Sequence, residues 1–206
     1  MKKLTLAFCL FTLGSSTAYA TSADLHGDVA AGKVKSATCM ACHGADGNSI
    51  NPTWPKLAGQ HASYIALQLK AFQSGDRKDP MMTGMAMPLN AQDMANLGAY
   101  FASQTVKPGT TNPDSVTLGQ KIYLGGNPES GVPACAACHN PQGKGNPAAS
   151  YPAIGGQHAQ YTSKQLMDYK SGARKPEGNA AIMRDIALKL SDNEIKAVTD
   201  YMQGLH

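Results

Sequence analysis

The segment Pro55-Lys56-Leu57-Ala58-Gly59-Gln60-His61-Ala62-Ser63-Tyr64 returns 97 residues later as Pro152-Ala153-Ile154-Gly155-Gly156-Gln157-His158-Ala159-Gln160-Tyr161. The correspondence continues through Gln68-Leu69 and Gln165-Leu166, then through Ser74-Gly75-Asp76-Arg77-Lys78 and Ser171-Gly172-Ala173-Arg174-Lys175. A chain of 206 residues that repeats itself at this distance is one small unit written twice. The fold to be found is therefore one of about 90 residues, near the size at which a hydrophobic core needs help from a disulfide, a metal or a bound group. Aromatic residues make up only 6% of the chain, which thins such cores further. Between the copies, the segment 106–114 has the Pro, Gly, Thr and Asn content of a linker. The domains expected are 21–105 and 115–206.

Each copy reads as helices joined by Gly- and Pro-rich loops, with no period-two strand pattern, so the expected fold class is all-α. Leading helices are expected over 28–37 and 115–124, and middle helices over about 62–73 and 159–169. Closing helices start after Asn90 and Ser191. Both are good N-caps, with Asp93 and Glu194 three residues on as in a capping box.

Each unit also contains Cys-x-x-Cys-His, as Cys39-Met40-Ala41-Cys42-His43 and Cys135-Ala136-Ala137-Cys138-His139. This spacing lets two thiols add to the two vinyl groups of one haem while the adjacent histidine turns to face the iron. The expected cofactors are two covalently bound haem c groups on Cys39, Cys42, Cys135 and Cys138, with His43 and His139 as axial ligands. A four-cysteine zinc site would bring its pairs within roughly 15 to 20 residues of each other, and a thioredoxin-like dithiol would want a βαβ setting. Pro55 and Pro152 follow the two histidines at a distance where a backbone carbonyl can accept the imidazole N–H and hold the ring.

The sixth ligand separates a carrier from an enzyme, because methionine opposite histidine favours ferrous iron and electron transfer. The first copy offers Met81, Met82, Met85 and Met87. Aligning the closing helices pairs Leu89 with Leu190, Asp93 with Glu194 and Tyr100 with Tyr201. In the same register Met82 falls on Met183, whereas Met81, Met85 and Met87 fall on Ile182, Ile186 and Leu188. Met82 and Met183 are the expected distal ligands, with Met85 the rival in the first copy. Met94, Met167 and Met202 read as flexible core packing, and Trp54 as packing near the first haem edge. His61 and His158 read as surface or hydrogen-bonding residues. Arg77, Lys78, Arg174 and Lys175 suit either haem propionates or solvated surface charge.

The first twenty residues read as a secretory signal: Lys2 and Lys3, an apolar run from Leu4 to Leu13, then Ala18-Tyr19-Ala20, with cleavage after Ala20. The run is shorter than the roughly 18 apolar residues of an anchoring helix. Cys9 leaves with it, so the haem-motif cysteines are the only ones in the expected mature chain. Losing Lys2 and Lys3 lowers the formal net charge of +4 to about +2, too little to argue for nucleic acid or an anionic membrane. The expected location is the periplasm.

Together these features resemble the dihaem class I cytochromes of the cytochrome c4 family. The resemblance rests on the two Cys-x-x-Cys-His sites, the Gly59-Gln60 and Gly156-Gln157 segments and Met82-Thr83-Gly84-Met85. Ile182-Met183-Arg184 and the ending Tyr201-Met202-Gln203-Gly204-Leu205-His206 complete it. It implies two tandem class I cytochrome c domains with their haems close together. It further implies a periplasmic electron carrier of a bacterial respiratory chain that donates to a terminal oxidase and associates loosely with the membrane. The partners expected are a redox protein donor and acceptor, with no catalytic residue and no small-molecule substrate. One alternative is the dihaem electron-transfer subunit of a larger dehydrogenase, such as a flavocytochrome. Another is a dihaem peroxidase, against which two matched methionines argue, since a peroxidase needs an open sixth position on one iron.

Overall fold

The computed structural model describes residues 26–175 and 181–206, so the expected signal segment and Cys9 lie outside the described residues. The first half contains α1 (Val29–Lys35), a 3-10 turn (Ser36–Thr38), α2 (Met40–His43), α3 (Ala62–Ser74), α4 (Pro80–Ala86) and α5 (Ala91–Ala102). The second half repeats the order with α6 (Pro113–Gly125), α7 (Ala136–His139), α8 (Ala159–Ser171), α9 (Ala181–Lys189) and α10 (Asp192–Gly204). Among the described residues, extended pairing is confined to two isolated antiparallel bridges, Asn127 with Val132 and Asn146 with Tyr151. The fold is all-α and duplicated.

Local chemistry sets the helix starts. Asn90 and Ser191 both form the expected capping boxes: each side chain accepts from the N3 backbone, and Asp93 or Glu194 reaches back to the cap N–H. Helix α6 begins at Pro113, two residues before the expected position. Asn112 caps it, and Pro113 supplies a preset φ at a position whose N–H needs no partner. The same Asx-Pro device opens α4, where the Asp79 side chain accepts from Met82 N and Pro80 sits at the first turn. Helices α4 and α9 carry the candidate distal methionines and were not anticipated from periodicity, because each is short.

Helix α1 crosses α5, and α6 crosses α10, in matching fashion. Both crossings depend on glycine. A Cβ on Gly32 would lie 2.0 Å from the Asn96 carbonyl oxygen, and one on Gly119 would lie 2.3 Å from that of Ala197. These are backbone atoms that no rotamer change moves. Gly119→Val is therefore expected to cost about 3 kcal/mol or more, read as a lowered denaturation midpoint of the second half.

Each half has its own core. In the first, Ile65, Leu69, Phe72, Leu97 and Phe101 are buried; in the second, Ile122, Tyr123, Leu166, Ile195 and Val198. Met94 and Met202 join these cores as expected, at 4% and 3% exposure. Met167 does not. It is 40% exposed, because Leu166, one position earlier on α8, takes the inward direction.

The halves meet around an approximate two-fold arrangement that the sequence did not reveal. Gln68 Oε1 accepts from Arg77 Nη1 at 2.7 Å and from Arg174 Nη2 at 2.9 Å. In mirror fashion Gln165 Oε1 accepts from Arg174 Nη1 at 2.9 Å and from Arg77 Nη2 at 2.8 Å. Tyr161 and Tyr64 accept the remaining cross-domain bonds from Arg77 and Arg174. Each guanidinium also lies over an aromatic ring of its own half, Phe72 or Tyr169, at 4.6 Å. Thus Arg77 and Arg174 are buried between the halves, whereas Lys78 and Lys175 are exposed. The connecting segment is pinned as well. Lys107 N donates to Asn48 Oδ1, Gly109 N donates to the Gln203 carbonyl, and Gln203 Nε2 donates to Thr110 O.

Candidate haem-attachment sites

The two Cys-x-x-Cys-His segments fold as single helical turns, α2 and α7, with Cys39 and Cys135 at their N-caps and His43 and His139 as their last residues. The i, i+3 spacing places both thiols of a pair on one side of the turn. Directly after each histidine the chain reverses through a positive-φ residue, Gly44 at 81° and Asn140 at 72°. Tyr100 Oη donates to the Ala45 carbonyl in the first half, and Tyr123 Oη to the Asn140 carbonyl in the second. The closing helix of the first half and the leading helix of the second thereby each clamp the loop that follows the motif histidine of their own half.

Both histidine rings are buried and oriented by the bond anticipated from the sequence. His43 Nδ1–H donates to the Pro55 carbonyl at 2.8 Å, and His139 Nδ1–H to the Pro152 carbonyl at 2.9 Å. Because a carbonyl only accepts, the proton sits on Nδ1 and the Nε2 lone pair is left for a metal. Burial lowers the pKa of both rings, opposed in part by the carbonyl bond, which keeps the imidazoles neutral as ligation requires.

All four thiols of the two motifs are half-buried. Burial pushes the Cys135 thiol up to about 11 and raises Cys39 in the same direction. None of the four described cysteines forms a disulfide. A half-buried pair of free thiols, an Nε2 lone pair and a methionine near the same core form a donor set that fits a thioether-bound haem.

Met82 packs against the first core together with Cys39, and Met183 packs against the second together with Cys135. Met81 and Met87 are 59% and 58% exposed, and Met85 is half-buried. Their counterparts Ile182 and Leu188 are likewise exposed. Trp54 is half-buried, and its carbonyl accepts from Ser49 Oγ.

His61 and His158 lie at the seam between the halves. His158 Nε2–H donates to the Ser49 carbonyl at 2.8 Å, a bond across the two halves. Burial lowers the pKa of both rings. Beside them Lys56 is buried, its Nζ donating to the Lys107 carbonyl, and burial lowers its pKa too.

The family model described as cytochrome c matches twice, over residues 29–105 and 116–206. Cytochrome c4 of Pseudomonas aeruginosa is 47% identical over 206 residues, covering all of both chains. A crystal structure of reduced recombinant cytochrome c4 from Pseudomonas stutzeri superposes with a TM-score of 0.84 at 46% identity, over 87% of this chain and all of that one. A protein of Thiomonas intermedia named thiosulfate dehydrogenase electron acceptor is 35% identical over 178 residues, 84% of this chain and 81% of its own.

Proposed function

The chain belongs to the cytochrome c4 family of dihaem electron-transfer proteins, and we propose that it is a periplasmic carrier that delivers electrons to a terminal oxidase. It is not an enzyme, and it holds two covalently bound haem c groups, one in each cytochrome c domain. Each haem supplies an iron that cycles between ferric and ferrous states; the polypeptide's work is to fix ligands, exclude water and set potentials.

In this reading Cys39 and Cys42 hold the first haem and Cys135 and Cys138 the second. His43 with Met82 and His139 with Met183 are the axial pairs. The observation that carries it is the matched placement of a Pro-anchored histidine and a core-packed methionine in each half. With His43, Met82, His139 and Met183 holding both irons, neither haem would have an open position for peroxide. The domains are 21–105 and 115–206, joined by 106–114, after removal of residues 1–20. Export into the periplasm rests on that leading segment. No described helix is long and apolar enough to cross a membrane.

A second reading, delivery of electrons from a partner dehydrogenase, is favoured by the likeness to the thiosulfate dehydrogenase electron acceptor. It names a donor and is compatible with an oxidase as the acceptor. The test is a spectroelectrochemical titration of the mature protein, followed by mixing of the reduced form with oxidase-containing membranes. Two waves at positive potential, the methionine-to-iron absorption band and oxygen uptake on mixing are expected. Negative potentials would point to bis-histidine ligation, and no oxygen uptake would remove the oxidase as acceptor.

A further inference from the structure

The carbonyl that orients each proximal histidine belongs to a peptide group whose N–H is held by the other half of the molecule. In the first half, the Pro55–Lys56 peptide accepts from His43 Nδ1–H through its oxygen and donates its N–H to Gln157 Oε1 at 2.9 Å. In the second half, the Pro152–Ala153 peptide accepts from His139 Nδ1–H and donates to Gln60 Oε1 at 3.0 Å. Each glutamine closes the clasp with its other amide atom. Gln157 Nε2 donates to the Lys56 carbonyl at 2.9 Å, and Gln60 Nε2 to the Ala153 carbonyl at 2.8 Å.

The glutamines are themselves fixed. Each follows a left-handed glycine, Gly59 at φ 70° or Gly156 at φ 73°. The N–H groups of those glycines donate to Phe101 O and Met202 O in the closing helices of their own halves. Each Oε1 also accepts from the next residue's N–H, His61 or His158, which orients the amide. The repeated run from proline to Gly-Gln thus encodes two opposite parts: a proline carbonyl for its own histidine, and a glutamine for the peptide of the other.

We infer that Gln60 and Gln157 are crosswise positioning residues. Gln157 tunes the iron bound by His43, and Gln60 tunes the iron bound by His139. Hydrogen bonds that share one peptide group polarise each other. An acceptor at the peptide N–H makes its carbonyl a better acceptor, which draws the Nδ1 proton and raises the basicity of the ligating Nε2. A more basic imidazole stabilises ferric iron, so the intact clasp lowers the potential of the haem across the seam. The geometry of docking is thereby written into the potential of both centres, and any movement of the halves would register at both irons.

The inference rests on His43 and His139 being the axial ligands. It is tested by replacing each glutamine in the full-length holoprotein, as Gln157→Leu and Gln60→Leu. The two midpoint potentials and the hyperfine-shifted proton resonances of each haem and its histidine ring are then read separately. Gln157→Leu should raise the potential and shift the ring resonances of the first-domain haem with little change at the second; Gln60→Leu should do the reverse. A general loosening of the seam would disturb both haems alike in both variants, and that result, or a shift confined to the haem of the substituted half, overturns the inference. Should either leucine variant fail to fold, Gln157→Asn and Gln60→Asn keep a polar side chain too short for the clasp and must give the same crosswise pattern. His43→Ala separates the two failures: a first haem that stays low-spin with unchanged ring resonances would remove the ligand assignment itself, whereas normal ligation without a crosswise shift removes only the role of the glutamines.

Discussion

Met82→Ala is expected to lower the midpoint potential of the first haem by roughly a few tenths of a volt and to abolish its methionine-to-iron absorption band, with the second haem unchanged. Axial thioether sulfur favours ferrous iron, and its replacement by water or a stray base removes that preference. Four methionines crowd this segment, but they differ in setting. Met82 packs on the first core beside Cys39, whereas Met81 and Met87 stand largely in solvent. Met85 is the comparison that matters, since it is half-buried and lies on the same short helix. Met85→Leu should leave both potentials and the absorption band in place. If Met85→Leu rather than Met82→Ala removes the band, the assignment reverses.

The second large effect concerns folding. Cys39→Ala combined with Cys42→Ala prevents covalent attachment in the first half and should remove one haem from the mass of the secreted protein. Loss of cooperative unfolding in that half should accompany it. The first core gathers only a handful of large side chains around Phe72, Leu97 and Phe101, and Met82, Cys39 and Leu57 face it partly buried. A core of that size sits at the margin of stability for about 80 residues. A haem buried among these side chains adds apolar contact that the polypeptide lacks. The second half, with its own core around Ile122, Tyr123 and Ile195, should keep its haem and its melt. Calorimetry of the variant checks both outcomes; a native-like transition in the first half without its haem would show that the chain folds unaided.

Much of the architecture could be read from local pattern. The helices, the two capping boxes at Asn90 and Ser191, the Cys-x-x-Cys-His turns and the carbonyl partners at Pro55 and Pro152 all follow from short spacings or from comparing one copy with the other. Helices α4 and α9 are too short for periodicity to mark them, although Asp79-Pro80 is a start signal that marks α4 on its own terms. Met167 faces solvent where core packing is expected, because an apolar residue beside a helix's inward face carries no mark of its direction in composition alone.

What the linear chain determined was everything governed by neighbours a few positions apart or by matching one copy to the other: the duplicated all-α plan, the attachment turns and the candidate ligands. Only the tertiary structure decided how the copies face each other. Arg77 and Lys78 are adjacent and similarly charged, yet the first is buried against Tyr161 and Gln165 of the other half while the second stands in solvent. Gln60 and Gln157 find their partners 93 and 101 residues away. The physical reason is that a hydrogen bond between distant segments depends on where two folded bodies dock, and docking is set by the shape and unpaired polar groups of finished surfaces, which no local spacing encodes.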